Sequence, residues 1–179
     1  MRAAPIGAFF RHAPDHMTEF VSVCTRVTHV DPRAEVGAQA VAALARFGME
    51  RSADARPEPR QFVELLRSVG GNCAEWNELV SKIESALARD DSVSRFADSL
   101  DLANGVSGYV YHTVPVVAYA WLRHFGDFRA ALESVLDCGG DTDTTGAIVG
   151  ALSGASVGLS GTPENWVAGV ADWPRSIQY

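Results

Sequence analysis

The sequence has no stripe of lysines and arginines. Its 15 Lys and Arg are outnumbered by 22 Asp and Glu, giving a net charge of -7 and a pI near 5.1. That balance excludes a surface built for nucleic acid or an anionic membrane. Cysteine is sparse. Cys24, Cys73 and Cys138 are widely spaced, so there is no disulfide framework and no Cys-x-x-Cys metal site, and the odd count suits a reducing compartment. Cys24 is expected in the core. Long apolar runs are missing too: 114–122 and the uncharged stretch 146–161 both fall short of the ~20 residues of a membrane span. The first seven residues carry one charge and no sustained apolar segment, unlike a signal peptide. A cytoplasmic protein is therefore expected. No segment alternates with the period of two that a half-buried strand needs.

Helical periodicity is what remains, and 47% hydrophobic residues over 179 positions suffice for a substantial core. Asp15 is placed to cap a helix with a face of Phe20, Val21, Cys24, Val27 and Thr28. Asp31-Pro32 opens another, carrying Val36, Ala40, Val41, Leu44 and Phe47, with Gly48 placed to end it. After a polar loop over 50–60, amphipathic helices are predicted at 62–69 and 76–88, and a weaker one at 92–102. A long apolar helix follows over 109–125, with Pro115 expected in its first turn, then a short helix over 127–136. Thr162-Pro163-Glu164 starts a last helix through Trp166 and Val170. Trp121 and Trp166 are expected in the core. Gly146, Gly150, Gly154 and Gly158 recur every four residues and line one helical face, predicting a groove that a neighbouring backbone approaches closely. The expectation is an all-α fold, one compact multi-helix domain over 1–179.

The most informative segment is Gly139-Gly140-Asp141-Thr142-Asp143-Thr144, two carboxylates and a hydroxyl beside the uncharged stretch. Helix capping explains one acidic residue there better than two. An EF-hand loop needs a Glu at its twelfth position, and Leu152 stands there. A Mg²⁺ or Mn²⁺ site accounts for both carboxylates, with Asp141, Asp143 and Thr144 supplying about half of one octahedral shell.

That segment and the Gly/Ala-rich helix after it closely resemble the carboxy-terminal signature of the ADP-ribosylglycohydrolase family. Four other stretches resemble the family in the same order: Met1-Arg2-Ala3-Ala4-Pro5-Ile6-Gly7, Val27-Thr28-His29-Val30-Asp31-Pro32-Arg33, Gly108-Tyr109-Val110 to Pro115, and Thr162-Pro163-Glu164-Asn165-Trp166. The resemblance implies an all-α hydrolase that cleaves the glycosidic bond between ADP-ribose and an acceptor such as arginine, with a dinuclear Mg²⁺ (or Mn²⁺) site. By that likeness Asp141, Asp143 and Thr144 are metal ligands. His29, Gly108, Tyr109, Gly140 and Thr142 line the ADP-ribose site, with Arg2 at its edge. On its own residues His29 reads equally well as a helix-end residue facing the C-terminal dipole.

The family's pattern also includes, ahead of Met-Arg, a Gly-Asp-x-x-Gly segment and a Thr/Ser-Asp-Asp triplet bearing further metal ligands and an acidic catalytic residue. These have no counterpart in the sequence, and Asp90-Asp91, the only Asp pair, stands in the wrong order. No catalytic residue is identifiable. The expectations are thus an incomplete version of the fold, weak metal binding, impaired turnover, and Gly/Ala surface left open to homodimer formation. The alternative is a catalytically inactive homologue that binds ADP-ribose or serves a structural, crystallin-like role.

Overall fold

A computed structural model describes residues 1–170, so the last nine residues of the expected 1–179 domain lie outside the described residues. The chain is all-α. Among the described residues ten α-helices run in order: α1 (Ala3–Phe9), α2 (Pro14–Arg26), α3 (Pro32–Met49), α4 (Pro59–Gly70), α5 (Ala74–Ala88), α6 (Val93–Asp98), α7 (Val110–Arg123), α8 (Phe128–Leu136), α9 (Thr142–Val157) and α10 (Glu164–Gly169). Among the described residues the only β pairing is one isolated bridge, Val106 to Gly140.

Helices α3 and α7 form the middle of the molecule. Ala40 to Ala45 of α3 and Val114 to Leu122 of α7 are buried almost without a break. α7 packs on α3, α5, α6, α8 and α9, which is why its sequence is apolar all round rather than on one stripe. Trp121 stands at the junction, as expected. Its ring meets Phe62 at 6.2 Å and Phe125 at 5.1 Å, and its indole N–H donates to Ser156 Oγ at 3.0 Å. Pro115 lies five residues past Val110, beyond the first turn. It therefore denies the Tyr111 carbonyl an intrahelical partner, a cost that the buried packing of α7 outweighs.

Several local expectations are corrected. α1 has no counterpart among the helices expected from periodicity. It has no side-chain cap and contains Pro5 and Gly7, so packing against α3 rather than helix propensity holds it. α2 starts at Pro14 with Ala13 before it, so Asp15 lies in the first turn instead of capping. Its buried face is Met17 and Val21, while Phe20 (53% exposed), Val27 (75%) and Thr28 face outward. Cys24 is half-buried. Asp31 does cap α3, accepting from the Arg33 N–H at 2.9 Å. Gly48 does not end α3: it is buried inside the helix, facing the Trp121 ring and Ser156. α6 is shorter than 92–102. Trp166 is half-buried at the surface, edge-on to Phe128 and under the Arg129 guanidinium at 4.4 Å.

The Asp90-Asp91 pair has a structural task. Asp91 is buried and bridges Arg89 at 2.7 Å and Arg95 at 3.2 Å, while its backbone carbonyl accepts from Tyr119 Oη at 2.6 Å. Asp90 pairs with Arg123.

The glycine stripe of α9 faces side chains, not backbone. A Cβ at Gly150 would lie 3.8 Å from Phe128 Cζ, and one at Gly154 would lie 3.9 Å from Phe128 Cε2. Both are ordinary contacts. Gly150→Ala is therefore expected to stabilise the protein by about 0.5–1 kcal/mol, the usual helix-interior difference. Thermal unfolding should show a midpoint higher by roughly 2 °C. A lower midpoint would mean that the α8–α9 contact is tighter than this.

Candidate substrate and cation site

Helices α1, α2, α3, α7 and α9 enclose a cavity of about 600 Å³. Its floor is apolar, made by Ile6, Val21, Val41, Val114 and Ile148, and its polar groups sit at the mouth. Size and lining both suit a small-molecule site.

One rim is a hydrogen-bonded chain at the end of α2. Arg2 Nη2 donates to Thr28 Oγ1 at 2.8 Å and to the Cys24 carbonyl at 3.4 Å, and Thr28 Oγ1 lies 2.8 Å from His29 Nδ1. His29 thus occupies a helix end and lines the cavity at once. The guanidinium has five donors, and most remain available to an anion. Asp31 and Tyr109 continue the rim. Behind them Arg33 Nε donates to Glu75 Oε2 at 2.8 Å. Burial pushes the Tyr109 phenol up; Arg33 opposes the shift and Glu75 reinforces it, so the hydroxyl stays a donor at neutral pH.

The other rim joins two loops that are distant in sequence. Val106 N–H donates to the Gly139 carbonyl at 3.1 Å, and Asp141 N–H donates to the Val106 carbonyl at 2.7 Å. This bridge sets the start of α9 beside the turn before α7. Asp141 caps α9 through Oδ1, which accepts from Thr144 N–H at 3.3 Å. Its Oδ2 lies over the bare face of Gly108, only 2.6 Å from where a Cβ would stand. Thr144 lines the cavity, half-buried, and Asp143 is exposed in the first turn.

Arg2, His29, Gly108, Tyr109 and Thr144 therefore share one cavity. Asp141 reaches its edge through Gly108. Asp143, Gly140 and Thr142 do not line it: Gly140 forms the bridge, and the Thr142 carbonyl accepts from Thr145 Oγ1 at 3.3 Å. Sequence reasoning missed Thr28, which links Arg2 to His29, and Val106, whose pairing assembles the second rim. The spacing of the Gly105–Gly108 turn ahead of an apolar helix was the available signal. Among the described residues no three His, Cys, Asp or Glu side chains converge as a metal-holding group. Among the described residues no group donates to Asp141 Oδ2 or Thr144 Oγ1, so these hard oxygens fit a divalent cation as part of a shell.

An all-α body with a cavity at the start of a Gly-Asp-Thr-Asp-Thr helix agrees with what comparison finds. The model of the ADP-ribosylglycohydrolase family matches residues 1–178. The chain belongs to that family. It is 33% identical over 174 residues to an uncharacterized protein of Archaeoglobus fulgidus, covering 96% of this chain and 52% of the relative. It is 28% identical over 189 residues to the ADP-ribosylhydrolase ARH3 of Bos taurus, covering 93% and 51%. A shorter match, 34% over 62 residues, covers 35% of the chain and 21% of the ADP-ribosyl-(dinitrogen reductase) glycohydrolase of Rhodospirillum rubrum. The chain thus spans about half the length of the relatives it matches most fully. No solved structure matches.

Proposed function

We propose that the cavity between α2, α7 and α9 binds ADP-ribose, and that the chain serves metal-dependent hydrolysis of the bond joining ADP-ribose to an acceptor. The observation that carries this reading is the convergence of Arg2, His29, Gly108, Tyr109 and Thr144 on one cavity of about 600 Å³. Arg2 offers its guanidinium fork to the diphosphate. Tyr109 presents an aromatic face to the adenine or ribose. His29, held by Thr28, faces the sugar hydroxyls. Asp141, Asp143 and Thr144 would hold a divalent cation, Mg²⁺ or Mn²⁺, which when bound polarises ribose oxygens and an attacking water. Gly108 leaves Asp141 Oδ2 uncovered for that role.

A second reading, ADP-ribose binding without turnover, is favoured by the donor count. Two carboxylates and a hydroxyl make a partial shell, and among the described residues the one carboxylic acid that lines the cavity, Asp31, stands on the rim.

Asp143→Asn separates the cation role from folding, because Asp141 rather than Asp143 caps α9. In calorimetry with Mg²⁺, the variant is expected to bind ADP-ribose at least tenfold more weakly, the usual loss for a metal-site change. Its unfolding midpoint should stay within about 1 °C, as for an exposed substitution. Equal affinity of the two proteins would remove Asp143 from the site. Release of ADP-ribose from ADP-ribosyl-arginine then distinguishes the hydrolase from the silent binder.

A further inference from the structure

The turn that carries Gly108 and Tyr109 is held from behind by two residues that do not line the main cavity. Ser107 Oγ accepts from the Tyr109 backbone N–H at 3.2 Å and lies 2.8 Å from His112 Nδ1. The Ser107 carbonyl accepts from Thr113 Oγ1 at 2.9 Å, and the Tyr109 carbonyl accepts from the N–H groups of His112 and Thr113 at 2.8 and 2.9 Å. The His112 ring also meets the Tyr109 ring edge-on, with centroids 5.0 Å apart and planes at 89°. Tyr109 is the residue before α7 and caps it with no side-chain bond of its own. Its N–H would otherwise be an unpaired donor at a helix start.

These contacts have a direction. The bridge through Val106 fixes the turn on its α9 side, and Ser107 with His112 fixes it on its α7 side. Between the two anchors stand Gly108, on which Asp141 Oδ2 rests, and Tyr109, at the cavity mouth. A hydroxyl can accept from Tyr109 and still share its remaining hydrogen-bonding position with an imidazole nitrogen. No other side chain among the described residues hydrogen-bonds to Ser107 Oγ or to His112.

We infer that Ser107 and His112 are a positioning pair for ADP-ribose recognition, holding the Gly108–Tyr109 turn in the conformation that meets the ligand. The inference rests on the ADP-ribose reading of the cavity. Neither residue touches the ligand; both act through Tyr109 and Gly108.

The test is a mutant cycle in the full chain, read by ADP-ribose calorimetry with Mg²⁺, thermal unfolding and hydrogen exchange at the Tyr109 amide. Ser107→Ala and His112→Phe are each expected to weaken ADP-ribose binding roughly tenfold, the scale of one lost positioning hydrogen bond. The double variant should be no weaker than either single one, since both break one unit. Ser107→Thr, which keeps the hydroxyl, should restore affinity to within about threefold, and the Tyr109 amide should exchange faster only where the hydroxyl is gone. Unfolding midpoints should stay within about 2 °C, since Ser107 is exposed and His112 only half-buried. Wild-type affinity in Ser107→Ala, multiplying losses in the double variant, or losses that track the unfolding midpoint would each overturn the pair. If the unmodified chain binds no ADP-ribose, the reading of the cavity falls and this inference with it. Normal binding with an unaffected Ser107→Ala sinks the pair alone.

Discussion

Gly7→Ala is expected to cost about 2–3 kcal/mol of stability, at the upper end for overpacking. A Cβ on Gly7 would stand 2.9 Å from Ala42 Cα and closer still to the Ala42 carbonyl oxygen, in the backbone of α3. Backbone in the middle of a buried helix cannot rotate away as a side-chain tip can. The added methyl must push α1 off α3 or force it to tilt. The same exchange at Gly150 meets only the Phe128 ring edge at 3.8 Å and should stabilise. Opposite signs from one substitution type make spatial position, not glycine content, the deciding factor. Thermal unfolding should put the Gly7→Ala midpoint roughly 5–10 °C low. Because α1 carries Ile6 and adjoins Arg2 at the cavity, the proposed ADP-ribose binding should weaken as well. An unchanged midpoint would mean that α1 is not seated on α3 as described.

The contrast between Gly7 and Gly150 also marks what a single sequence discloses about a helical fold. The recurrence of Gly146, Gly150 and Gly154 is visible because it is periodic, yet these residues meet side chains at ordinary distances. Gly7 sits in a segment too short, and too rich in proline and glycine, to announce a helix. Its importance lies in its partner, α3, which local pattern cannot name. The same limit explains α2. Its sequence offers apolar residues on more than one face, and only the placement of α3 decides that Met17 and Val21 are buried while Phe20 and Val27 are not. Where the signal is local chemistry, it is legible. Asp31-Pro32 caps α3 as read, Asp127 caps α8, and Asp141 caps α9. Asp15 and Pro115 are the exceptions: α2 opens on Pro14 with Asp15 inside its first turn, and tertiary burial of α7 outweighs the local penalty of Pro115.

The candidate site divides along the same line. Arg2, His29, Gly108, Tyr109 and Thr144 are separated by up to 142 positions, and their meeting in one cavity is a property of the fold. Resemblance to a family marked them individually; it did not reveal the links between them. Thr28, Ser107 and Val106 are ordinary residues by type. Thr28 acts through a hydroxyl between Arg2 and His29, Ser107 through a hydroxyl that meets the Tyr109 amide, and Val106 through its backbone; composition registers none of these links. Gly140 and Thr142 show the converse, being conspicuous in the motif while the fold uses them to build the rim.

Gly140→Ala is expected to be the most damaging of these substitutions, and its reason is the Val106 bridge. Gly140 has φ of +82°, where an L-residue costs about 1–2 kcal/mol. A Cβ there would also fall 2.5 Å from Val106 N and nearer still to Val106 O. Val106 O is the acceptor for Asp141 N–H, and Val106 N–H bonds the Gly139 carbonyl, so the methyl forces these bonds open. Val106 is fully buried, and each polar group stranded there costs roughly 1–3 kcal/mol. The expected total is about 3–5 kcal/mol, with Asp141 and Gly108 drawn apart. Gly139→Ala isolates the cause. Gly139 also has positive φ, +69°, but nothing lies within 4 Å of its would-be Cβ. It should lose only the conformational term, about 1–2 kcal/mol, and keep the bridge. Both variants can be compared by denaturant unfolding, and by Mg²⁺-dependent ADP-ribose calorimetry at a temperature where circular dichroism shows each folded. Gly140→Ala should then bind at least tenfold more weakly than Gly139→Ala, as the proposed cation role of Asp141 requires. Equal stability and equal affinity in the two would refute the bridge as the element that assembles the rim. Loss of affinity in Gly140→Ala alone, at full helicity, would place the site's organisation in two backbone hydrogen bonds rather than in any of its charged side chains.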